Sequence, residues 1–490
     1  YYQATGKRNF LDIAIRYADC VCKNIGEGPG QKRVIPGHQI AEMALVRLYM
    51  VTGDKKYLDQ AKFFLDARGT TARKDIYLQS HKPVLEQDEA VGHAVRAGYM
   101  YSGMADVAAI TGDSSYVRAI DRIWENIVGK KIYITGGIGA RHEGEAFGDN
   151  YELPNLTAYN ETCAAIGNVY TNYRLFLLHG DAKYFDVLER TLYNGLISGV
   201  SLDGGRFFYP NPLACDGKYR FNADHTITRQ PWFGCACCPS NISRFIPSLP
   251  GYVYAVKDDK VYVNLFLSNR AKLKVNGKNV VLEQETSYPW NGDIRLTVAK
   301  GNQPFVMNVR IPGWVRGSVL PGGLYSYADG EELAYRVSVN GQEVKGALQK
   351  GYLSIDRRWK KGDVVEIHFD MQPRVVKAND KVAADRGRVA IECGPLVYCA
   401  EWPDNDFDIS TLLLNRHPKF QVVEHPDLLG GINEITTRAQ ALSYDATGRL
   451  AAKDVKLTLI PYYAWAHRGE GRMEVWLPIE VGAASAELQE

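Results

Sequence analysis

The sequence has no long apolar run. Nowhere do about 18 apolar residues follow one another, so no membrane-spanning helix is predicted. It has no excess of one charge. Lys and Arg number 58 against 56 Asp and Glu, a formal net charge of +2, which gives no reason to expect a nucleic-acid surface. It has no disulfide framework either. Cys20, Cys22, Cys163, Cys215, Cys235, Cys237, Cys238, Cys393 and Cys399 are odd in number and irregularly spaced; they leave room for a thiol or metal site. No Met opens the chain, and no secretory leader pattern precedes Tyr1, so the start is expected to be processed or trimmed and its original address lost.

What is present is ordinary globular composition. The 490 residues are 46% apolar and 23% charged. That excludes a disordered or fibrous chain and predicts two to four domains at ~150 residues each. The 30 tyrosines and 8 tryptophans suit sugar-stacking surfaces and equally suit ordinary cores and edges.

Residues 1–255 read as helical. Thr5-Gly6-Lys7-Arg8-Asn9-Phe10, Thr52-Gly53-Asp54-Lys55-Lys56-Tyr57, Thr111-Gly112-Asp113-Ser114-Ser115-Tyr116 and His179-Gly180-Asp181-Ala182-Lys183-Tyr184 are variants of one unit. In it a left-handed Gly ends one helix and Asp caps the next. The aromatic residue is expected to reach back to the core. Apolar spacing of three and four predicts helices over 40–51, 57–68, 91–110, 116–128, 162–178 and 184–198. The uneven repeat intervals of 47, 59 and 68 residues favour a toroid of helical hairpins with elaborated loops over a solenoid.

Beyond residue 255 the period becomes two. Strands are predicted over 261–266, 295–298, 336–339, 364–369, 389–392 and 456–461. Asn276-Gly277, Asn291-Gly292 and Asn340-Gly341 are hairpin signals. One or two β-sandwiches follow from this spacing, with a boundary near residues 372–380.

The densest chemistry lies in Gly234-Cys235-Ala236-Cys237-Cys238-Pro239. Zinc-finger spacing is absent, but both adjacent thiols can reach one metal if the loop turns sharply at Pro239. Buried thiols in a tight loop are the alternative. Glu161 and Cys163 open the helix predicted from 162. With Cys237 and Cys238 they would complete a tetrahedral zinc shell; otherwise Glu161 caps the helix and Cys163 packs inside. Gly136-Gly137-Ile138-Gly139 lacks the spacing and the Lys-Ser/Thr ending of a phosphate loop. It reads as a loop exposing an acid, with Glu145, Glu143, Asp149 and Glu152 as candidates. His38 and His93, each after a glycine at a helix start, can line a central cup or be core histidines.

Taken in order, Gly144-Glu145-Ala146-Phe147-Gly148, Glu161-Thr162-Cys163, Phe208-Tyr209-Pro210-Asn211-Pro212, Cys235-Ala236-Cys237-Cys238-Pro239, Gly394-Pro395-Leu396-Val397-Tyr398 and Pro461-Tyr462-Tyr463-Ala464-Trp465 resemble the bacterial β-L-arabinofuranosidases of glycoside hydrolase family 127, over residues 37–476. The resemblance implies an (α/α)6 helical barrel over 1–255, followed by β-sandwiches over 256–375 and 376–490. Twelve helices make such a barrel and residues 1–255 supply about eight, so hairpins before Tyr1 are expected to be missing or naturally absent. The resemblance also implies a retaining exo-glycosidase whose nucleophile is a zinc-bound cysteine. Carried over by position, Cys237 is the nucleophile and Glu145 the general acid/base. Glu161, Cys163, Cys237 and Cys238 hold Zn2+. His38, His93 and Tyr209 contact the sugar, and Cys235 lines the site without binding metal. Ordinary retaining enzymes use two carboxylates ~5 Å apart; here a thiolate replaces one.

A terminal L-arabinofuranose from plant cell-wall glycans or glycoproteins is the expected substrate, with a branched acidic sugar such as aceric acid as the alternative. A non-catalytic carbohydrate-binding protein with a structural zinc is the competing class, and a polysaccharide lyase or epimerase on the same barrel a third. A glycan substrate predicts a periplasmic or secreted location, with the cytoplasm still open to a thiol nucleophile. A homodimer is compatible with the sequence.

Overall fold

The computed structural model describes residues 1–223 and 225–485. The chain divides into two compact units, one of Tyr1–Ile127 with Arg141–Gly148 and one of Val128–Ala140 with Asp149–Glu490.

The first unit is helical: α1 (Tyr2–Thr5), α2 (Asn9–Asn24), α3 (Ile40–Thr52), α4 (Lys55–Ala67), α5 (Ala94–Thr111) and α6 (Ser114–Lys130), whose last turn passes into the second unit. The second unit continues with α7 (Thr162–His179), α8 (Lys183–Thr191) and α9 (Cys237–Phe245). Eight helices of nine or more residues thus precede residue 255 among the described residues.

The repeated turn forms as predicted. Gly6, Gly53, Gly112 and Gly180 take φ of 71°, 73°, 74° and 61°, the left-handed region that only glycine enters without strain. Asp54, Asp113 and Asp181 accept from the backbone N–H two residues on, at 3.0–3.1 Å. Tyr57 and Tyr116 are buried, and each hydroxyl donates to an aspartate of an earlier helix: Tyr57 to Asp19 at 2.7 Å, Tyr116 to Asp66. Each hairpin is thereby tied to a predecessor. The first copy departs from expectation, for Phe10 is 60% exposed. The inward stripe of α2 runs through Leu11 and Ala18, seven residues apart, and Phe10 lies about 100° off it. Its ring meets Tyr1 edge-on instead.

The helix predicted over 184–198 is also broken. After Thr191 the chain makes a π turn over Leu192–Leu196 and a 3-10 turn over Ile197–Gly199. Close approaches explain it. A Cβ on Gly195 would stand 3.0 Å from Thr135 O, and one on Gly199 would stand 2.4 Å from Thr162 Oγ1. The run at Gly136-Gly137 likewise packs rather than exposes. It is buried, and a Cβ on Gly136 would meet Thr191 at 2.4–2.6 Å.

The rest of the second unit is built on three sheets. A four-stranded sheet orders Tyr352–Lys360, Asn302–Arg310, Lys260–Val263 and Tyr254–Lys257, with the middle pair parallel. A six-stranded sheet orders Gln342–Glu343, Tyr335–Val339, Val364–Phe369, Asp293–Lys300, Lys278–Thr286 and Asn269–Val275. The third sheet, of eleven strands, packs Ile391, Leu396, Leu412, Ile435, Leu457 and Leu459 into one core. It takes in Tyr325–Tyr327 and, from among the helices, Ala214–Asp216 paired with Arg472–Glu474. Asn276-Gly277 and Asn340-Gly341 form two-residue hairpins, both residues left-handed. Asn291-Gly292 does not. It closes a longer loop, and its glycine serves close approach, since a Cβ there would fall 2.0 Å from Phe369 O.

Helix α8 is locked to the four-stranded sheet by charge. Arg310 is fully buried and donates to Asp186 at 2.9 Å, to Glu189, and to Asn264 O at 2.7 Å. Tyr288 donates to Glu189 at 2.9 Å. Removing one member of such a network strands the others' charge. Arg310→Met is expected to cost about 3–5 kcal/mol, measured by thermal and denaturant unfolding. Combining it with Asp186→Asn and Glu189→Gln should recover most of that loss; a triple variant as unstable as the single one would contradict the charge argument.

Candidate active site

In the second unit the first turns of two helices meet. Glu161 is the N-cap residue of α7 and Cys163 its second residue; Cys237 and Cys238 open α9. One ligand atom from each of these four lies within 4.8 Å of all the others. Cys237 Sγ stands 3.9 Å from Cys238 Sγ, and the two sulfurs stand 3.5 and 3.4 Å from Glu161 Oε1. A tetrahedral zinc with Zn–S of ~2.3 Å and Zn–O of ~2.1 Å requires S–S edges of about 3.8 Å and S–O edges of about 3.6 Å. The donors therefore fit that ion in type and number, and the three separations among Glu161, Cys237 and Cys238 fit its edges. All nine cysteines are free thiols.

The helix ends suit this anionic cluster, since the N-terminal dipole favours negative charge and lowers thiol pKa values. Within the cluster the thiols differ. Hydrogen bonds from Cys163 and Cys238, with a further one from Tyr209, pull Cys237 down to about 2 against its burial. Cys163 is raised, chiefly because it donates a hydrogen bond to Cys237, and Cys238 is raised chiefly by burial. Of the three thiols, these shifts favour ionisation first at Cys237. That residue is only partly buried, whereas Glu161, Cys163 and Cys238 are 2% exposed or less. Tyr209 Oη lies 2.7 Å from Cys237 Sγ and 3.9 Å from Cys235 Sγ. Burial and the surrounding anions raise its pKa far above normal, so the hydroxyl stays protonated and donates to the thiolate. Cys235 is exposed and outside the four-donor group.

The segment around Tyr209 holds the α7 end in place. Tyr209 O accepts from Thr162 N–H and Phe208 O from Thr162 Oγ1, both at 2.9 Å. Asn211 Nδ2 donates to Asn160 O at 2.9 Å and to Thr162 Oγ1 at 3.0 Å. Behind it Arg229 is buried, its guanidinium 4.3 Å from the centre of the Phe208 ring. It donates to Ser198 O, Trp465 O and Tyr463 O at 2.6–3.1 Å. Motif reading passes over Thr162, Asn211 and Arg229. The one local signal is the pair of prolines flanking Asn211, which marks a rigid segment.

The first unit carries Glu145. The loop before it bonds back on itself, Arg141 with Ala146 in both directions at 3.0 Å, and Phe147 N–H donates to Gly92 O at 2.9 Å. Gly144 and Glu145 both have left-handed backbone, φ 69° and 50°. For a glutamate this is strained, and strain of this kind concentrates at functional sites. The carboxylate, 31% exposed, lies 2.7 Å from His93 Nε2. His93 is the N-cap of α5, its Nδ1 accepting from Arg96 N–H at 3.4 Å. With Nδ1 an acceptor, Nε2 carries the proton and donates to Glu145. Tyr77 packs edge-on against the imidazole at 5.2 Å. His93 thus touches the proposed acid itself. His38, half-buried, accepts from Ile40 N–H at 3.3 Å and packs on Tyr99. Of the other candidate acids, Glu143 is exposed and Glu152 accepts from Asp149 N–H at 2.8 Å.

A helical domain, sheet-rich domains and a buried Glu-Cys-Cys-Cys group define the class of protein. The GH127 catalytic-domain model of beta-L-arabinofuranosidases matches residues 1–251, the corresponding middle-domain model residues 260–371, and the family's C-terminal domain model residues 373–478. The chain belongs to glycoside hydrolase family 127. It is 36% identical to a non-reducing end beta-L-arabinofuranosidase of Bifidobacterium longum subsp. longum, over 97% of this chain and 76% of that protein. Among solved structures it matches a GH127 beta-arabinofuranosidase with a TM-score of 0.95 and 76% identity, over 98% of this chain and 75% of the other. It also matches Ara127N-Se, a GH127 beta-L-arabinofuranosidase from Geobacillus stearothermophilus T6, with a TM-score of 0.90 and 40% identity, over 98% and 78%. The chain is therefore an enzyme, a glycoside hydrolase, rather than a non-catalytic binding protein, lyase or epimerase.

Thr162→Val preserves volume but removes the hydroxyl that donates to Phe208 O and accepts from Asn211. Unpairing buried groups costs ~1–3 kcal/mol. A loss of that size in unfolding free energy is expected; a variant as stable as the parent would show that the Phe208–Asn211 clamp does not hold the α7 terminus.

Proposed function

We propose that the protein is a retaining exo-acting β-L-arabinofuranosidase that releases terminal L-arabinofuranose from plant glycans. Cys237 is its nucleophile and Glu145 its acid/base. Zinc is held by Glu161, Cys163, Cys237 and Cys238. The observation that carries this reading is Cys237, the one donor of the four that is not fully buried, with the Tyr209 hydroxyl 2.7 Å from its sulfur. The printed activities of the relatives supply the sugar.

Zinc, when bound, supplies the positive charge that keeps the cluster's thiols ionised. The protein's own residues do the rest. Cys237 presents sulfur to the anomeric carbon, in place of the second carboxylate of an ordinary retaining site. The Tyr209 hydroxyl, 2.7 Å away, orients that sulfur. Glu145 donates a proton to the leaving oxygen and later takes one from water. His93 holds the carboxylate through Nε2–H at 2.7 Å. The family resemblance supports a role for His38 in contacting the sugar. A plant-glycan substrate supports a periplasmic or extracellular site of action.

Two experiments test the roles. Cys237→Ser should lower turnover of a nitrophenyl β-L-arabinofuranoside at least ~10³-fold, since serine on the same site stays protonated. It should also leave no glycosyl adduct detectable by mass spectrometry. Cys238→Ser should first lower the metal content, read by elemental analysis, and excess zinc should restore part of the rate. Protein purified without metal and indifferent to a chelator would reject the zinc site.

Glu145→Gln should lower hydrolysis of poor leaving groups by ~10²–10⁴, the usual worth of general acid catalysis. Activated aryl glycosides, which need little protonation, should lose far less in the first step. Equal losses on both substrates would move the acid role to another residue.

A further inference from the structure

The third sheet carries a groove of about 860 Å³, bordered by charged residues, that the catalytic reading does not use. Lys419, Phe420, Arg438, Asp454 and Lys456 line it, with Asn415 and His417 at one end. Its floor is the antiparallel pair Ile432–Tyr444 and Leu450–Pro461, in which Arg438 and Lys456 are directly opposite each other. Both are exposed. The other face of these strands, through Ile435, Ala439, Leu457 and Leu459, fills the core. Like charges directly across a strand pair destabilise a sheet, and a neutral or opposite-charge pair would serve the fold better. The wall is held in register, since Asn415 Nδ2 donates to Arg438 O at 3.1 Å and Thr437 Oγ1 to Lys419 O at 2.9 Å. Glu434, the nearest acid on the same face of its strand, is engaged by His425 at 2.9 Å. Three permanent cations therefore share the groove with one carboxylate, Asp454.

We propose that this groove binds a carboxylate-bearing glycan chain, a uronate oligosaccharide, as an ancillary site on the sheet-rich part of the enzyme. The volume lies in the range of built ligand sites. The cations match carboxylates, Arg438 offering a fork for bidentate pairing. Asn415, Gln421 and Thr436 offer amide and hydroxyl partners for sugar hydroxyls, and half-buried Phe420 an apolar patch. A single aromatic on a protein of net charge +2 does not make the stacked, strongly basic track that nucleic acid needs.

The test reads binding alone, so it stands or falls independently of the catalytic assignment. A galacturonate tetramer, its fully methyl-esterified counterpart and dextran sulfate are titrated calorimetrically into the whole protein, at about 50 and about 500 mM salt. The free-acid tetramer should bind, weakly at high salt, and the ester should bind at least about tenfold less tightly. Arg438→Gln and Lys456→Gln should each weaken the acid's binding about tenfold or more. Because each relieves a like-charge pair, the thermal midpoint should hold or rise. No binding of the free acid, equal binding of the ester, equal binding of dextran sulfate, or unaltered affinity in both variants would each overturn the proposal. A fall in midpoint in both variants would refute the argument from repulsion.

Discussion

Four acids meeting at one point, three of them buried, are the constraint that the catalytic part of this protein is organised around. Glu161, Cys163, Cys237 and Cys238 meet within 4.8 Å, in surroundings where uncompensated charge is costly. The fold compensates by aiming two helix N-termini at the cluster and a tyrosine hydroxyl at its most open sulfur. It also fits Glu161, Cys237 and Cys238 to the edges of a zinc tetrahedron. Much nearby peculiarity follows. The glycines at 195 and 199 and the π turn between helices bring backbone against Thr135 and Thr162. The clamp from Phe208 to Asn211 then keeps the α7 terminus from fraying.

The proposed acid/base is held by different means. Glu145 sits on a strained left-handed backbone, in a short loop closed by Arg141 and Ala146. His93 both starts α5 and grips the carboxylate. A histidine committed at both nitrogens has one tautomer and one ring position, so its partner is fixed as well. Rigidity here comes from hydrogen bonds made twice over by one side chain, whereas in the thiol cluster it comes from helix ends.

Much of this was legible in the sequence. Most predicted helix spans came within a few residues, the one over 184–198 excepted, and the hairpin turns were legible because Gly and Asp mark them by mechanism. The cysteines of the cluster announced themselves by adjacency. What was hidden depended on contacts distant along the chain. The Ala214–Asp216 strand is too short to show a period. Asn291-Gly292 looks like a hairpin turn, yet its glycine answers to Phe369, far along the chain. The break after Thr191 comes from neighbours that no local pattern reveals. Tyr209 was singled out by the resemblance, but its bond to Cys237 depends on a meeting between segments 28 residues apart.

The Arg310 network bears on how this enzyme can be inherited. Two of its acids, Asp186 and Glu189, lie in a helix of the catalytic segment, and the cations that neutralise them, Arg310 on a sheet strand and Arg316 soon after it, arrive more than a hundred residues later. A chain cut near residue 255 would keep both anions and lose their counter-charge. The first sheet-rich segment is thus no interchangeable appendage. Recombination that swapped it for another sheet would have to supply a buried arginine at one matching point. That requirement ties the helices and the sheet into a single evolutionary module, although they read along the chain as separate domains.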